Sequence, residues 1–163
     1  MEIRTIEISL DTAKRWYEQG GGLRDLAIGA FGDKMLIGNR LPKTWDEYCI
    51  KHGEMGDRIK ASLNTTYMTI NKYTFSDYKQ AQAHIAIIKL HLLRDEYRNG
   101  WKPNWCDNND KYGIKWNFSA RNKELTVARC NWNTLFLSFS TCELAEEFLT
   151  NFRELIEQAG DLI

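Results

Sequence analysis

The chain has 163 residues with 22 basic and 22 acidic side chains, so its formal net charge is zero. A chain of this length can bury a core of its own, and a balanced charge gives no overall field that would attract a nucleic acid or an anionic membrane. No apolar run approaches the roughly 20 residues that a membrane span needs, so we expect one soluble domain covering residues 1–163.

The cysteines and the first residues bear on the cellular compartment. Four cysteines are scattered along the chain without a CxxC pair: Cys49, Cys106, Cys130 and Cys142. The chain opens with the charged residues Glu2 and Arg4, which is not the start of a signal peptide. We therefore expect reduced thiols in a cytoplasm.

A short strand is predicted at the start of the chain, because Ile6, Ile8 and Leu10 alternate with polar residues. Ser9 or Asp11 is expected to cap the helix that follows, since either side chain can accept a hydrogen bond from an amide of the first turn. This strand opens an N-terminal part, residues 1–75, that is predicted to be mixed and mainly helical.

A helical hairpin with a glycine hinge is predicted next. The first helix carries Ala13, Trp16 and Tyr17, and the run Gly20–Gly22 ends it because three glycines add too much backbone freedom for a helix to continue. The apolar face of the second helix is made of five residues: Leu23, Leu26, Ala27, Ala30 and Phe31. Gly32-Asp33 then turns the chain out of this helix.

A capping box marks a short third helix after an irregular stretch. Thr44 and Glu47 have the spacing at which each side chain satisfies a backbone amide of the other, and the helix should run to about His52. Residues 53–75 are predicted to form one or two strands, because apolar and polar residues alternate there on β-prone sequence.

The best-defined element is a long apolar helix within the stretch from Ser76 to Trp105. Apolar residues recur along it at spacings of three and four: Tyr78, Ala81, Ile85, Ile88 and Leu92. Ser76 and Asp77 can cap its start, and Asn99-Gly100 tolerates the positive φ of a helix end. A helix of roughly 22 residues is about 33 Å long, so the other elements must pack along it.

Beyond residue 110 the apolar residues recur with a period of two. Tyr112, Ile114, Trp116 and Phe118 alternate with polar residues, which predicts a strand with one buried face. A loop at Ala120–Lys123 leads to a second strand, for which two inward residues are expected: Leu125 and Val127. A turn at Asn131–Asn133 leads to a third strand with three more: Leu135, Leu137 and Phe139.

An amphipathic helix closes the chain. Ser140–Glu143 repeats the capping-box spacing, and the helix that it starts should end near Gly160. The predicted fold is therefore α+β: N-terminal helices, one long central helix, and a C-terminal antiparallel three-stranded meander covered by the C-terminal amphipathic helix.

The sequence lacks the familiar motifs for phosphate binding and hydrolysis, namely GxxxxGK[ST], GxGxxG, GxSxG and HExxH. His84 and His91 are about 10 Å apart along one helix, which is too far to bind one metal ion. Asp107–Asp110 offers oxygen ligands that suit calcium, but Lys111 follows where another ligand is needed, so a solvated turn is favoured. Cys106 has no histidine partner nearby. We predict no catalytic residue, no metal and no cofactor.

The most suggestive surface is the segment 101–132, where tryptophans are interleaved with cations. Residues 100 to 132 carry six basic and three acidic residues. The candidate binding residues, which we call the basic tryptophan segment, are Trp101, Lys102, Trp105, Lys111, Lys115, Arg121, Lys123, Arg129 and Trp132. Bases can stack on tryptophan while cations follow phosphates, as in single-strand binders. Alternatively, the tryptophans fill the end of the core, stack on sugar rings or seat a protein partner.

Several runs of the sequence are shared with a known group of proteins. The runs are Leu92–Trp105 with its signature Gly100-Trp101-Lys102-Pro103-Asn104-Trp105, Lys111-Tyr112, Phe148–Glu157, Trp16-Tyr17, Leu26–Phe31 and Leu41–Trp45. In these runs the chain resembles a family of uncharacterised proteins of gut anaerobic bacteria and their phages and prophages, which carry the signature GWKP[ND]W. The resemblance transfers no activity or site residue, and it implies a virion part, a host-interaction factor or a counter-defence protein.

Three functions are therefore predicted. The first is a non-enzymatic binding or structural module, related to phages, that acts through contacts with a protein partner or by self-association. The second is single-stranded nucleic-acid binding through the basic tryptophan segment. The third is a sponge for a small ligand in counter-defence. In each case we expect the protein in the cytoplasm of a bacterial host or in a virion, without a membrane partner.

Overall fold

The computed structural model describes residues 7–69, 78–107, 109–118, 123–130 and 135–162, and the statements below refer to them. In chain order their elements are α1 (Leu10–Gln19), α2 (Gly21–Phe31), α3 (Asp33–Ile37), α4 (Trp45–His52), α5 (Glu54–Thr69), α6 (Tyr78–Arg98), β1 (Tyr112–Phe118), β2 (Lys123–Arg129), β3 (Ser138–Phe139), α7 (Cys142–Ala159) and a final 3₁₀ turn, Gly160–Leu162. The fold is α+β, as predicted.

The three strands form one antiparallel sheet in the order β2-β1-β3. β1 and β2 pair along their whole length, from Tyr112 opposite Arg129 to Phe118 opposite Lys123. β3 is short and pairs with the other edge of β1. In a simple meander each strand pairs with the next, so β2 would be central; here the chain returns past β2 and β1 is central.

Gly113 explains how the segment before β3 can pack against β1. A Cβ atom placed on Gly113 would lie 2.3 Å from Cδ1 of Leu135 and 3.2 Å from Sγ of Cys130. Because glycine has no side chain, the segment before β3 can lie directly against β1, where the amide of Ile114 donates to the carbonyl of Leu137 at 2.9 Å.

The main core lies between α6, α7 and the sheet. Its buried members are Tyr48, Cys49, Ala86, Leu90, Leu93, Tyr97, Ile114, Leu125, Leu137, Phe139, Ala145, Phe148, Leu149, Phe152, Ile156 and Ala159. A smaller cluster joins α1, α2 and α3 and contains Ala13, Tyr17, Ala27, Leu36 and Ile37. The long helix is therefore central to the larger core, as its length predicted.

The start of the described chain differs from the prediction. Residues 7 to 9 are irregular and α1 begins at Leu10, so the strand predicted over Ile8 and Leu10 is wrong, while Ile6 lies outside the described residues. Ser9 caps the helix, as predicted, since its hydroxyl accepts from the amide of Thr12 at 3.2 Å. Ile8 and Leu10 pack against the smaller cluster, which explains their apolar character.

The glycine hinge is confirmed, but the predicted buried face of α2 is partly wrong. Gly20 ends α1 with a φ of 80° and α2 begins at the next residue. Leu23 and Leu26 are 40% and 60% exposed, and Ala30 is also exposed, whereas Ala27 is fully buried. The apolar stripe of α2 is wider than the side that α1 and α3 cover. The short helix α3 was not predicted.

The predicted helix α4 and its Thr44 cap are confirmed, the predicted contact of Glu47 with the Thr44 amide is wrong, and so are the strands predicted for the next segment. Thr44 caps α4 by accepting from the amide of Glu47 at 3.1 Å. The Glu47 carboxylate accepts instead from the amide of Lys43 and from Arg40, both at 2.8 Å. The described part of residues 53–75 is a helix rather than strands. Gly53 lets a new helix begin immediately after α4, since its φ is 57°.

The end of α6 agrees with the prediction, but two residues of its predicted apolar stripe are exposed. Asn99 and Gly100 leave the helix with φ values of 45° and 83°, whereas Ser76 and Asp77 lie outside the described residues. Ala81 and Ile85 are buried as predicted. Two predicted members of the stripe are instead exposed, Tyr78 by 65% and Ile88 by 44%.

The C-terminal helix α7 covers the sheet, as predicted. Two details of this region differ from the prediction. Phe118 is 70% exposed because it lies at the far end of β1, so its predicted inward position is wrong. α7 is capped by Thr141, whose hydroxyl accepts from the amide of Leu144 at 3.2 Å, rather than by Ser140. Gly160 ends the helix with a φ of 63°. Of the loop predicted at Ala120–Lys123, residues 120–122 lie outside the described residues, whereas Lys123 already belongs to β2. The turn predicted at Asn131–Asn133 lies outside the described residues.

A charged cluster joins α4 to α6 and predicts a dependence of stability on pH. Glu96 accepts from Lys51 at 2.7 Å and contacts the ring of His52 at 3.3 Å. Burial alone would raise the pKa of Glu96, but Lys51 and His52 outweigh it and hold this pKa below its ordinary value of 4.5. The carboxylate therefore stabilises the folded state above the unfolded pKa, and this contribution is lost as the pH falls through the folded pKa.

We accordingly expect Glu96→Gln to destabilise the protein at neutral pH and to cost progressively less as the pH falls below about 4.5. Urea denaturation of both forms across this range measures the difference in free energy of unfolding. A difference that stays constant down to the acid limit of folding would contradict the assignment.

Candidate functional site

An open cleft of about 340 Å³ lies at the end of α6, next to the turn that carries the tryptophan signature. We call it the arginine cleft, and its lining residues are Arg94, Arg98, Pro103, Trp105, Leu135 and Phe136. The two arginines are one helical turn apart, so both side chains reach the same end of the helix. The positive φ of Asn99 and Gly100 turns the chain there, and the segment before β3 supplies the opposite wall.

Arg94 is a buried cation that is already neutralised. Its Nε and Nη2 atoms donate to Oδ1 of Asp95 at 2.9 and 2.7 Å, and Nη1 donates to the carbonyl of Phe136 at 3.1 Å. The guanidinium also lies 4.9 Å from the centre of the Phe136 ring. Arg94 therefore acts mainly to hold the wall of the cleft in place.

Arg98 differs because no carboxylate of the described residues pairs with it. Its Nε donates to the carbonyl of Ser138 at 2.7 Å and its Nη2 donates to the hydroxyl of the same serine. Burial, and then the like charge of Arg94, lowers the pKa of Arg98 to about 10. The group is still a cation at neutral pH, half-buried and 5.7 Å from the centre of the Trp101 ring.

Lys111 is the most buried of the described cations of the basic tryptophan segment. Its side chain is 2% exposed, and its ammonium donates to Oδ1 of Asp107 at 2.6 Å and to the carbonyl of Asn109 at 2.9 Å. The hydrogen bond from Lys111 holds the pKa of Asp107 below its usual range. The loop considered for calcium thus closes around the ammonium of its own lysine, 5.8 Å from the centre of the Trp105 ring.

The sheet register separates the other cations of this segment. Lys123 lies opposite Phe118 and shares a face with Trp116, while Lys115 lies opposite Thr126 on the other face, because neighbouring residues of a strand alternate. Arg129 pairs with Asp110. Lys102 is exposed beside the cleft, and Arg121 and Trp132 lie outside the described residues.

The structure thus brings Trp101 and Trp105 to one site and leaves Lys115 and Lys123 elsewhere. Five of the six residues that line the cleft were not among the candidates: Arg94, Arg98, Pro103, Leu135 and Phe136. Two arginines four residues apart just before the tryptophan signature were a usable signal in the sequence. Phe136 had no such signal, because its position depends on the return of the chain to β1.

The described residues offer little for metal or thiol chemistry. They contain no group of three or more His, Cys, Asp and Glu side chains that could hold a metal ion. Nδ1 of His84 donates to the carbonyl of Gln80 at 2.9 Å within its own helix. All four cysteines are free thiols, and burial raises the pKa of Cys49 and Cys130 above the ordinary value. These two thiols are therefore poor nucleophiles at neutral pH.

Among the described residues, no helix combines the length and the apolar character that crossing a membrane requires. Comparisons of the chain with protein-family models, with curated proteins and with solved structures give no match.

Proposed function

We propose that this chain is a non-enzymatic binding module that acts through contacts with another protein, and that an acidic side chain of the partner enters the arginine cleft. One observation carries the proposal: Arg98 is a half-buried cation that forms no salt bridge with a carboxylate of the described residues. The nearby carboxylate of Asp95 pairs with Arg94 and offsets only part of the lowering of the Arg98 pKa by burial. A partly desolvated guanidinium gains more from a carboxylate than an exposed one does, since water competes less.

The chemistry of the cleft suits a carboxylate held at a fixed orientation. The Nε and Nη2 atoms of Arg98 are used by Ser138, and no described residue accepts from Nη1. Ser138 therefore fixes the plane of the Arg98 guanidinium, and the Nη1 donors of Arg98 remain for a ligand. Trp105 and Phe136 add apolar walls, and tryptophan and arginine are the residues that most often dominate the energy of protein contacts.

The distribution of the remaining cations favours a protein over a nucleic acid. A single strand needs a row of cations that follows its phosphates. Here Lys111 is neutralised by Asp107 and Arg129 by Asp110, while the register puts Lys115 and Lys123 on opposite faces of the sheet. A short acidic segment needs a single point of attachment, which Arg98 supplies.

The resemblance to proteins of gut anaerobes and their phages supports the same proposal. Two residues of its signature, Pro103 and Trp105, line the arginine cleft. The proposed partner is accordingly a protein of a phage or of its host, met in the host cytoplasm or in the virion.

The proposal predicts a loss of binding in Arg98 variants. A labelled peptide rich in glutamate and tryptophan should bind the full chain, and its glutamine counterpart should bind more weakly. Arg98→Met should lower the affinity for the acidic peptide by about tenfold or more, because one charge-assisted hydrogen bond is lost. Arg98→Lys should recover part of the loss, because it keeps the charge without the planar fork. Fluorescence anisotropy at two salt concentrations measures these affinities.

Arg58→Met is the matched control, since Arg58 is an exposed arginine of α5 and lies outside the cleft. Thermal unfolding of each variant checks that the fold is kept. Equal binding of the acidic and glutamine peptides would overturn the proposal. So would an oligothymidine that binds more tightly than the acidic peptide and loses affinity with Arg98→Met, which would assign the cleft to nucleic acid.

A further inference from the structure

A second and larger groove lies between α4, α6 and α7, with a volume of about 650 Å³. Its basic side chains come from three different places: Lys43 precedes α4, Lys89 lies on α6 and Arg153 on α7. A single carboxylate, Glu154, is among the lining residues. The groove therefore carries a net positive charge, and its volume falls within the range of small-molecule sites.

Lys89 is the cation that this groove leaves without a counter-ion. It is half-buried, and no carboxylate of the described residues forms a salt bridge with it. Its ammonium lies 5.5 Å from the centre of the Trp45 ring. Lys43 and Arg153 do have acidic neighbours, Glu18 and Glu157, but each pair is 3.9 Å apart and largely exposed, so both pairs are weak.

Trp45 gives the groove a rigid aromatic wall. Its ring stacks on that of Tyr48, with the centres 5.2 Å apart and an angle of 13° between the planes. Tyr48 is buried in the main core, so the indole is fixed from behind. A fixed aromatic surface beside an ammonium group suits a ligand that has both a flat ring and a negative charge.

The third wall is formed where α7 departs from helical geometry. The backbone of Phe152 has φ −124° and ψ 21° inside the helix. Next to it, Asn151 donates from Nδ2 to the hydroxyl of Tyr97 at 2.8 Å, which fixes the amide. No described residue donates to its Oδ1 atom, so the amide oxygen can accept from a hydroxyl or N–H group of a ligand.

From these features we infer that the α4–α6–α7 groove binds a nucleoside monophosphate. Lys89, with Lys43 and Arg153, holds the phosphate, the Trp45 wall contacts the base, and the Asn151 amide oxygen accepts from a sugar hydroxyl. The groove is separate from the arginine cleft. The inference therefore adds a small-molecule site to the proposed protein contact and stands or falls independently of it.

Calorimetric titration of the full chain with the 5′-monophosphates of adenosine, guanosine, cytidine and uridine tests the inference. At least one should bind more tightly than its nucleoside, ribose 5-phosphate or inorganic phosphate, because the site holds ring and phosphate together. Lys89→Met should lower the affinity for this monophosphate about tenfold, as expected for loss of one charged hydrogen bond. Lys79→Met, an exposed lysine of the same helix outside the groove, should leave the affinity unchanged.

The indole N–H signal of Trp45 in a proton–nitrogen NMR spectrum should move during the titration, and Trp45→Phe identifies that signal. Saturable binding that Lys89→Met leaves unchanged, in a variant whose spectrum is otherwise native, would overturn the assignment to this groove. Absence of binding by all four monophosphates would overturn it as well. An affinity that increases with the length of an oligonucleotide would contradict a monophosphate site and would indicate that the groove binds single-stranded nucleic acid.

Discussion

Replacing Phe148 by alanine is expected to lower the free energy of unfolding by about 3–5 kcal/mol, the usual cost of deleting a buried aromatic ring. Phe148 is fully buried in the main core. Its ring centre lies 5.0 Å from that of Tyr97, 4.9 Å from that of Phe139 and 4.8 Å from that of Phe152. One side chain thus joins α6, the sheet and α7, and its removal leaves a cavity between all three.

Chemical denaturation of wild type and variant measures this loss. Phe118→Ala is the matched control: the same change at a ring that is 70% exposed should cost no more than about 0.5 kcal/mol. Equal costs at the two positions would contradict the assignment of Phe148 to the core and of Phe118 to the surface. Phe148→Leu should fall between these values, because it keeps apolar volume and loses the ring contacts.

Gly56→Ala is expected to destabilise the protein by roughly 3 kcal/mol, at the upper end of the usual range for overpacking. A Cβ atom on Gly56 would lie 2.1 Å from the carbonyl oxygen of Cys49 and 2.7 Å from its Cα. These are backbone atoms, so no rotation of a side chain can relieve the contact. α4 and α5 would have to move apart, and Cys49 would be drawn out of the main core.

Gly29→Ala is the matched control for this change. Gly29 lies within α2 and an added Cβ there meets no atom within 4 Å. Alanine is the better helix former, so this variant should be more stable than wild type by about 0.5–1 kcal/mol. Thermal unfolding followed by circular dichroism compares the two, and a stabilising Gly56→Ala would contradict the close approach of α4 to α5.

The ends of the helices were the most predictable feature of the fold. Ser9 and Thr44 cap helices by accepting from an amide three residues ahead, and Gly100 and Gly160 leave helices with positive φ. Such signals act within one turn of the chain, so a sequence displays them directly. The helix at 54–69 escaped prediction because its apolar residues happen to alternate, and the close packing that Gly56 permits is invisible from sequence spacing.

The arginine cleft lies where a site was expected, but most of its lining residues were not among the candidates. The junction after the long helix was the expected location, and Trp101 and Trp105 lie there. Arg98, on which the proposed contact depends, is held by Ser138, which is 40 positions away in the chain. Lys111 was predicted as a surface cation, but it is buried and paired with Asp107, because the loop that carries Asp107 folds back over it.

The sequence by itself determined the α+β class, the central position of the long helix and the chemistry that starts and ends most of the helices. Each of these depends on residues within a few positions of one another, whose spacing is fixed by the geometry of one helix or strand. Only the tertiary structure decided the return of β3 to β1, which cations are paired, and which aromatic rings are exposed. Those outcomes depend on contacts between residues far apart in the chain, such as Arg98 with Ser138 and Glu96 with Lys51, which packing alone brings together.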